Sequence, residues 1–272
     1  EYGEQSNYLA VTDDTTAPSI GEAEIFFGNY YLGSAYYYNG TIRIRATATD
    51  DDIGIRNCYY TLNNGTTWVT ANYNGTHCYT DDITPDSNIT INFNATDWAG
   101  NNAKGTERLY IRDNSTPSCS ILSISVNTSY GYVSGTIVYY NTNVTGSWNI
   151  SVSALDSLSG VRNVTFPSLS TITGSGGDTS SPYRSMDVGA YIWNTNSLYS
   201  QSAYAYCYDN VGNVESVMYN VIRDVTSPSG GSISYQDGEN STQQTQISFS
   251  TGSDADSGID STRTRILRTN GT

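Results

Sequence analysis

Two stretches of this chain follow one plan. Ser202–Pro228 reads SAYAYCYDNVGNVESVMYNVIRDVTSP, and Ile89–Pro117 reads ITINFNATDWAGNNAKGTERLYIRDNSTP. Each has an alternating run, a turn of the form D-x-x-G-N, a second run, and then an Asp and a Pro. Alternation with period two sends successive side chains to opposite faces of a strand. The Asp caps a turn through its side chain, and the Pro ends the strand. A chain punctuated in this way is built from β-hairpins.

The closing Asp and Pro occur at Asp14/Pro18, Asp113/Pro117 and Asp224/Pro228. Their spacings are 113 − 14 = 99 and 224 − 113 = 111 residues. Short strands at that period predict an all-β chain of tandem antiparallel β-sandwiches. Residues 1–14 read as the last strand of a preceding domain, 15–112 and 113–223 as two domains, and 224–272 as the first half of a further one. In the first domain Ile20–Phe27 is the opening strand. Thr41–Thr49 follows, with Ile42, Ile44, Ala46 and Ala48 inward, and Ile89–Thr96 with Glu107–Arg112 forms the closing hairpin. About seven strands result, enough for two sheets. In the second domain Trp148, Ile150, Val152 and Ala154 take the places of Ile42–Ala48, and Ser175–Asp178 begins a loop. The last half-domain is too short to bury a core alone. It is completed either by a longer array, the favoured reading, or by strands from another chain. The start at Glu1 rather than Met fits a processed or partial chain.

Charged residues are 14% of the chain, well below the usual quarter. Ser, Thr, Asn and Gly supply the polarity, which suits strands and turns and disfavours helices. The formal net charge is −14, Lys104 is the single lysine, and no basic patch exists. Nucleic-acid binding is therefore excluded as a reading. The sequence shows no membrane-length apolar run and no signal peptide.

Twelve Asn-x-Ser/Thr sequons occur, at Asn39, Asn64, Asn74, Asn88, Asn94, Asn114, Asn127, Asn143, Asn149, Asn163, Asn240 and Asn270. Chance gives about 7 for this composition. The excess points to N-glycosylation and an extracellular or cell-surface location; compositional accident is the alternative. The Asn-Gly pairs at Asn39, Asn64, Asn74 and Asn270 all lie inside sequons, where sugar would protect a labile amide. Four cysteines permit two bridges. Cys58 and Cys78 fall on neighbouring predicted strands and pair, closing a loop worth about 3 kcal/mol in the chain-entropy picture. Cys119 and Cys207 then tie the two ends of the second domain. Four free thiols are the alternative, disfavoured by the secreted signature.

Asp50-Asp51-Asp52, Asp254-x-Asp256 and the linker residues Asp13, Asp14, Asp113 and Asp224 offer hard oxygen ligands for Ca²⁺. Turn capping accounts for the same residues and is preferred. No metal is assigned; Asp50, Asp52, Asp113 and Asp224 stand as calcium candidates, and no other cofactor is expected. Thr61–Trp68, TLNNGTTW, resembles the Asp-box hairpin of sialidase propellers, with Asn63 in place of its Asp, and reads as structural. His77 is the single histidine and reads as a strand residue. No nucleophile elbow, zinc set or phosphate loop occurs, so no catalytic residue is assigned. The runs Tyr30-Tyr31, Tyr36-Tyr37-Tyr38, Tyr59-Tyr60 and Tyr139-Tyr140 must face both sides of their strands. The outer rings fill strand surface, stack on sugar or contact a neighbour.

The strings ATATDDDIGIRNCYYTLNNGTTW, FNATDWAGNN and YIRDNSTP resemble the Ig-like and fibronectin-III-like repeats of large bacterial and archaeal cell-surface proteins. The resemblance covers essentially the whole chain, although the middle of the second domain aligns poorly. It implies tandem Ig-like sandwiches, beads on a string, and no chemistry. The expected function is structural: a segment of a heavily N-glycosylated fibre, stalk or surface layer that self-associates or continues into further repeats. The alternative is an adhesin whose repeats bind carbohydrate or protein. A non-catalytic arm of a secreted hydrolase follows well behind.

Overall fold

The structure, a computed structural model, describes residues 13–33, 35–235, 247–262 and 265. Most of the strand expected over 1–14 lies outside these residues, as do Asn240 and Asn270. The fold is almost all β. One short helix, α1 (Ser185–Gly189), stands among the described residues where the sequence shows no helical pattern. The chain divides into two compact units. The first comprises 1–116 with the turns 156–160 and 209–213; the second comprises 117–155, 161–208 and 214–272.

The first unit carries β1 (Ser19–Ile20), β2 (Glu24–Leu32), β3 (Tyr36–Thr49), β4 (Ile55–Thr61), β5 (Val69–Tyr73), β6 (His77–Tyr79), β7 (Ile89–Asp97), β8 (Asn102–Lys104) and β9 (Arg108–Arg112). The strand expected at Ile20–Phe27 is thus split, and nine strands replace about seven. Pairing runs from β3 through β6, β5, β4, β7 and β9, and β9 returns in parallel to β3 at Tyr37↔Ile111. Six strands close into a ring, where two separate sheets were expected. Gly105 is where the closing hairpin breaks. Its amide bonds to the Phe93 carbonyl, and a Cβ there would meet the Gly21 carbonyl at 2.7 Å. The break frees β9 to leave β8 and reach both β7 and β3.

The alternation in β3 sets the core. Ile42, Ile44, Ala46 and Ala48 are buried with Ile91, Phe93, Ala95 and Tyr110. On the other face, Arg43 and Arg45 lie over Phe27 and Phe26. A disulfide joins Cys58 on β4 to Cys78 on β6, with Cα atoms 5.7 Å apart.

The second unit carries β10 (Ser118–Val126), β11 (Gly131–Ser134), β12 (Ile137–Tyr140), β13 (Gly146–Leu155), β14 (Val161–Phe166), β15 (Gly176–Asp178), β16 (Tyr183–Arg184), α1, β17 (Tyr191–Trp193), β18 (Gln201–Asp209), β19 (Val214–Arg223), β20 (Ser232–Tyr235) and β21 (Ile247–Ser250). One sheet runs β11-β12-β19-β18-β14-β15; another joins β10, β13, β16 and β17; β20 and β21 form a pair of their own. The residues expected to begin a loop at Ser175–Asp178 include strand β15. A single core draws on both larger sheets: Trp148, Ile150 and Val152 from β13, Tyr140 from β12, and Ala205, Tyr219 and Val221 from the long hairpin. The Trp148, Tyr191 and Trp193 rings cluster, with centroids 5.1 and 5.9 Å from that of Trp148. The second disulfide, Cys119–Cys207, links β10 to β18.

Candidate functional site: sequon asparagines and converging carboxylates

Asparagine accepts N-linked sugar on Nδ2, so that atom must reach solvent. Of the ten described sequons, Asn64, Asn74, Asn88, Asn114, Asn127 and Asn143 are exposed. Asn39, Asn94, Asn149 and Asn163 are partly buried, and none is fully buried. Asn74, Asn88 and Asn127 use Oδ1 to accept backbone amides, which orients the amide group and leaves Nδ2 outside those bonds. Asn39 differs, because its Nδ2 donates to the side-chain Oδ1 of Asn213 at 2.5 Å.

The recurring aspartates do two things with two oxygens. In each linker, Oδ1 caps the following turn: Asp14 accepts from the Thr16 amide, Asp113 from Ser115 and Asp224 from Thr226. In each early loop, Asp50, Asp156 and Asp254 accept amides two and four residues on, ending at Gly54, Gly160 and Gly258. In each D-x-x-G-N turn, Asp97 and Asp209 accept the Asn101 and Asn213 amides through Oδ1, and those Asn side chains donate to Oδ2. The same Asn side chains also reach the linker carbonyls of Asp14 and Asp113. This is the mechanical reason the D-x-x-G-N signature recurs: one asparagine ties the hairpin turn to the linker.

The three kinds of aspartate meet. Asp14, Asp50 and Asp97 each place a carboxylate oxygen within 4.8 Å of the other two, and Asp113, Asp156 and Asp209 do the same. Of the aspartates read from the sequence as possible calcium ligands, Asp14, Asp50 and Asp113 belong to these triads. Asp52 stands outside; its amide donates to Asp50. Asp224 accepts from the Ser257 amide and hydroxyl on Oδ2. Sequence reading passed over Asp97, Asp156 and Asp209 as metal ligands. The available signal was their recurrence at one place in every copy of the turn.

The triads perturb their own members. For Asp14 the Thr16 amide holds the carboxyl down, but burial and the charges of Asp97, Asp50 and Asp52 together lift it above the usual range. Burial pushes Asp97 up, yet the Asn101 side chain and neighbouring amides outweigh it and leave it low. Asp209 is raised by burial, with the Asp113 charge adding to the effect against the Asn213 bonds.

Other sequence candidates take structural places. His77 lies on β6 with its Nδ1 2.8 Å from the Thr76 hydroxyl. Asn63 Oδ1 accepts from Thr61 and from the Thr67 amide, closing the turn in TLNNGTTW. The tyrosine runs split across their strands: Tyr38 and Tyr140 are fully buried while Tyr37 and Tyr139 are not.

No family model matches the chain, and no curated protein matches it. Among solved structures it is similar to the fibronectin(III)-like modules of Clostridium thermocellum CbhA, at 16% identity and a TM-score of 0.42, over 74% of this chain and 95% of that one. It is also similar to dimeric latent PorU from Porphyromonas gingivalis, at 14% identity and a TM-score of 0.23, over 84% of this chain and 26% of that one.

Proposed function

We propose that this chain is a structural segment of an N-glycosylated extracellular fibre, stalk or surface layer built from tandem Ig-like units. On this reading 15–112 and 113–223 are successive domains, with 1–14 and 224–272 belonging to their neighbours. The observation that carries it is the distribution of sequons: ten are described, none is buried, and they occur in both units. Each unit also holds one disulfide, which suits an oxidising compartment. No described helix is long and apolar enough to cross a membrane. The function is spacing and coating rather than turnover.

The test is glycopeptide mapping of native material combined with electron microscopy. Sugar on most of the six exposed asparagines, in regular filaments or arrays, is the expected result. Bare asparagines on dispersed molecules overturn it. The adhesin reading has its own support in the second unit. An open cleft there is lined by Tyr130, Tyr132 and Tyr139 together with Asp224 and Asp254. Tyrosine faces beside carboxylates suit a sugar ring, stacking beneath it and accepting from its hydroxyls. A glycan array tests that reading directly.

A further inference from the structure

We infer that Asp14, Asp50 and Asp97 form a binding site for a divalent cation of the calcium type. Proximity of carboxylates alone would not carry this, because each Oδ1 is already used in a turn. The argument rests on the second oxygens. Oδ2 of Asp14 and Oδ2 of Asp50 are sealed from solvent and accept no hydrogen bond. A buried carboxylate oxygen without a protein donor is disfavoured, and two in one cluster of three carboxylates repel one another besides. The described ion pairs engage Glu22, Glu24 and Asp82, leaving this cluster without a protein cation among them.

The other copies show what a satisfied arrangement looks like. The early loop reads D-S-L-S-G at Asp156–Gly160 and D-A-D-S-G at Asp254–Gly258. In both, the serine amide turns onto the linker carboxylate: Ser159 donates to Asp113 Oδ2 at 3.0 Å, and Ser257 donates to Asp224 Oδ2. The first copy reads D-D-D-I-G, and Ile53 directs its amide to Asp50 Oδ1 instead. Asp14 Oδ2 therefore loses the donor its counterparts have. The same loop carries Asp51 where the other copies have Ser157 and Ala255, and the charge of its Asp52 reaches Asp14. Loss of a donor and gain of negative charge at one place are the changes a cation would compensate.

The ligand chemistry selects the ion class. Carboxylate oxygens without imidazole or thiolate favour hard cations over zinc or copper. Calcium holds oxygens at about 2.3–2.6 Å in flexible geometry, so ligands on opposite sides stand about 4.6–5.2 Å apart. Three carboxylate oxygens lying within 4.8 Å of one another can all reach one such ion.

Calorimetric titration of the chelator-stripped chain with CaCl₂, paired with thermal melting, tests the site. Expected are binding at about 10⁻⁴–10⁻³ M, as for extracellular modules, and a rise in Tm. Asp50→Asn keeps an oxygen for the turn amides and removes the charge, and should weaken binding about tenfold or more. Asp14→Asn serves as a second variant by the same logic. Asp156→Asn, in the triad whose linker carboxylate already has an amide donor, should leave the titration unchanged. No heat and no melting shift up to about 10 mM calcium, above the weakest such modules, overturns the inference. Unchanged affinity in both Asp50→Asn and Asp14→Asn overturns it as well. None of these outcomes alters the glycan map on which the structural role stands.

Discussion

The two units begin from the same elements and finish them differently. Tyr38 and Tyr140 are equivalent: each is buried, each carbonyl accepts the linker amide, from Asp113 and Asp224, and each hydroxyl donates to a distant carbonyl, at Ser87 and Tyr199. From Tyr38 to the first core residue Ile42 is 42 − 38 = 4 positions; from Tyr140 to Trp148 it is 148 − 140 = 8. The first unit therefore runs through Gly40 as one strand, β3, that belongs to both sides of the ring. In the second, Asn141–Thr145 separates β12 from β13. The partner strand follows suit, continuous as β2 in one unit and divided into β10 and β11 in the other. The closing hairpin reverses the pattern. It is unbroken over Gln201–Arg223 and interrupted at Gly105 in the first unit. A continuous β3 and an interrupted hairpin together close a ring; the opposite choices leave separate sheets.

Several measurements sharpen or break this contrast. The largest effect is expected from the bridges. Replacing Cys119 and Cys207 by Ala opens a span of 88 residues and should destabilise the second unit by about 4.6 kcal/mol in the chain-entropy picture. Replacing Cys58 and Cys78 opens 20 residues and should cost about 3.3 kcal/mol. Denaturant melts of the two variants should rank in that order, and equal losses would contradict it.

The inserted segment supplies the next test. Trp193 Nε1 donates to the carbonyls of Asn141 and Val144, which the break in the strand leaves without ladder partners. Trp193→Phe keeps an aromatic ring and strips that donor, so a loss of about 1–3 kcal/mol is expected from the second unit. A melt indistinguishable from the parent would mean that the insertion holds itself.

Alkaline pH separates the units by their buried phenols. Burial is the leading cause in every case. Tyr38 is pushed up to about 12 and Tyr140 to about 12, while Tyr191 and Tyr219, both in the second unit, are raised further. A phenol raised on folding contributes stability that is complete below its unfolded value near 10. That contribution fades as pH climbs toward the folded value. The second unit should thus lose stability more steeply above about pH 10, followed by near-ultraviolet signals from its tryptophans. The smallest effect belongs to the surface. Asp82→Asn removes an exposed partner of Arg43 on the first unit and should shift stability by no more than about 1 kcal/mol.

Local rules made much of this legible. Period-two patterning placed Ile42, Ile44, Ala46 and Ala48 in one core and Trp148, Ile150 and Val152 in the other. The cysteines could be paired because each fell on a recognisable strand. Ring closure was hidden because it depends on how Gly105 meets the Gly21 carbonyl, a contact across 84 residues with no trace in the local pattern. Helix α1 was hidden because five residues are too few to show a helical period. The aspartates were half legible. Turn chemistry accounts for every Oδ1, but the meeting of Asp14, Asp50 and Asp97 joins three distant turns and needs the fold. The weight given to Asp52 over Asp97 came from reading charge runs instead of recurring positions.

The bridge between Cys119 and Cys207 also governs how this chain would bear a pull. Tension entering at one cysteine passes through sulfur to the other, and the 88-residue span is shielded from it. At about 3.4 Å per residue, that withholds about 300 Å of contour length from extension. The Cys58–Cys78 bridge withholds only 20 residues. Under load the second unit would therefore hold back far more of its chain than the first, and reducing agent would erase that difference.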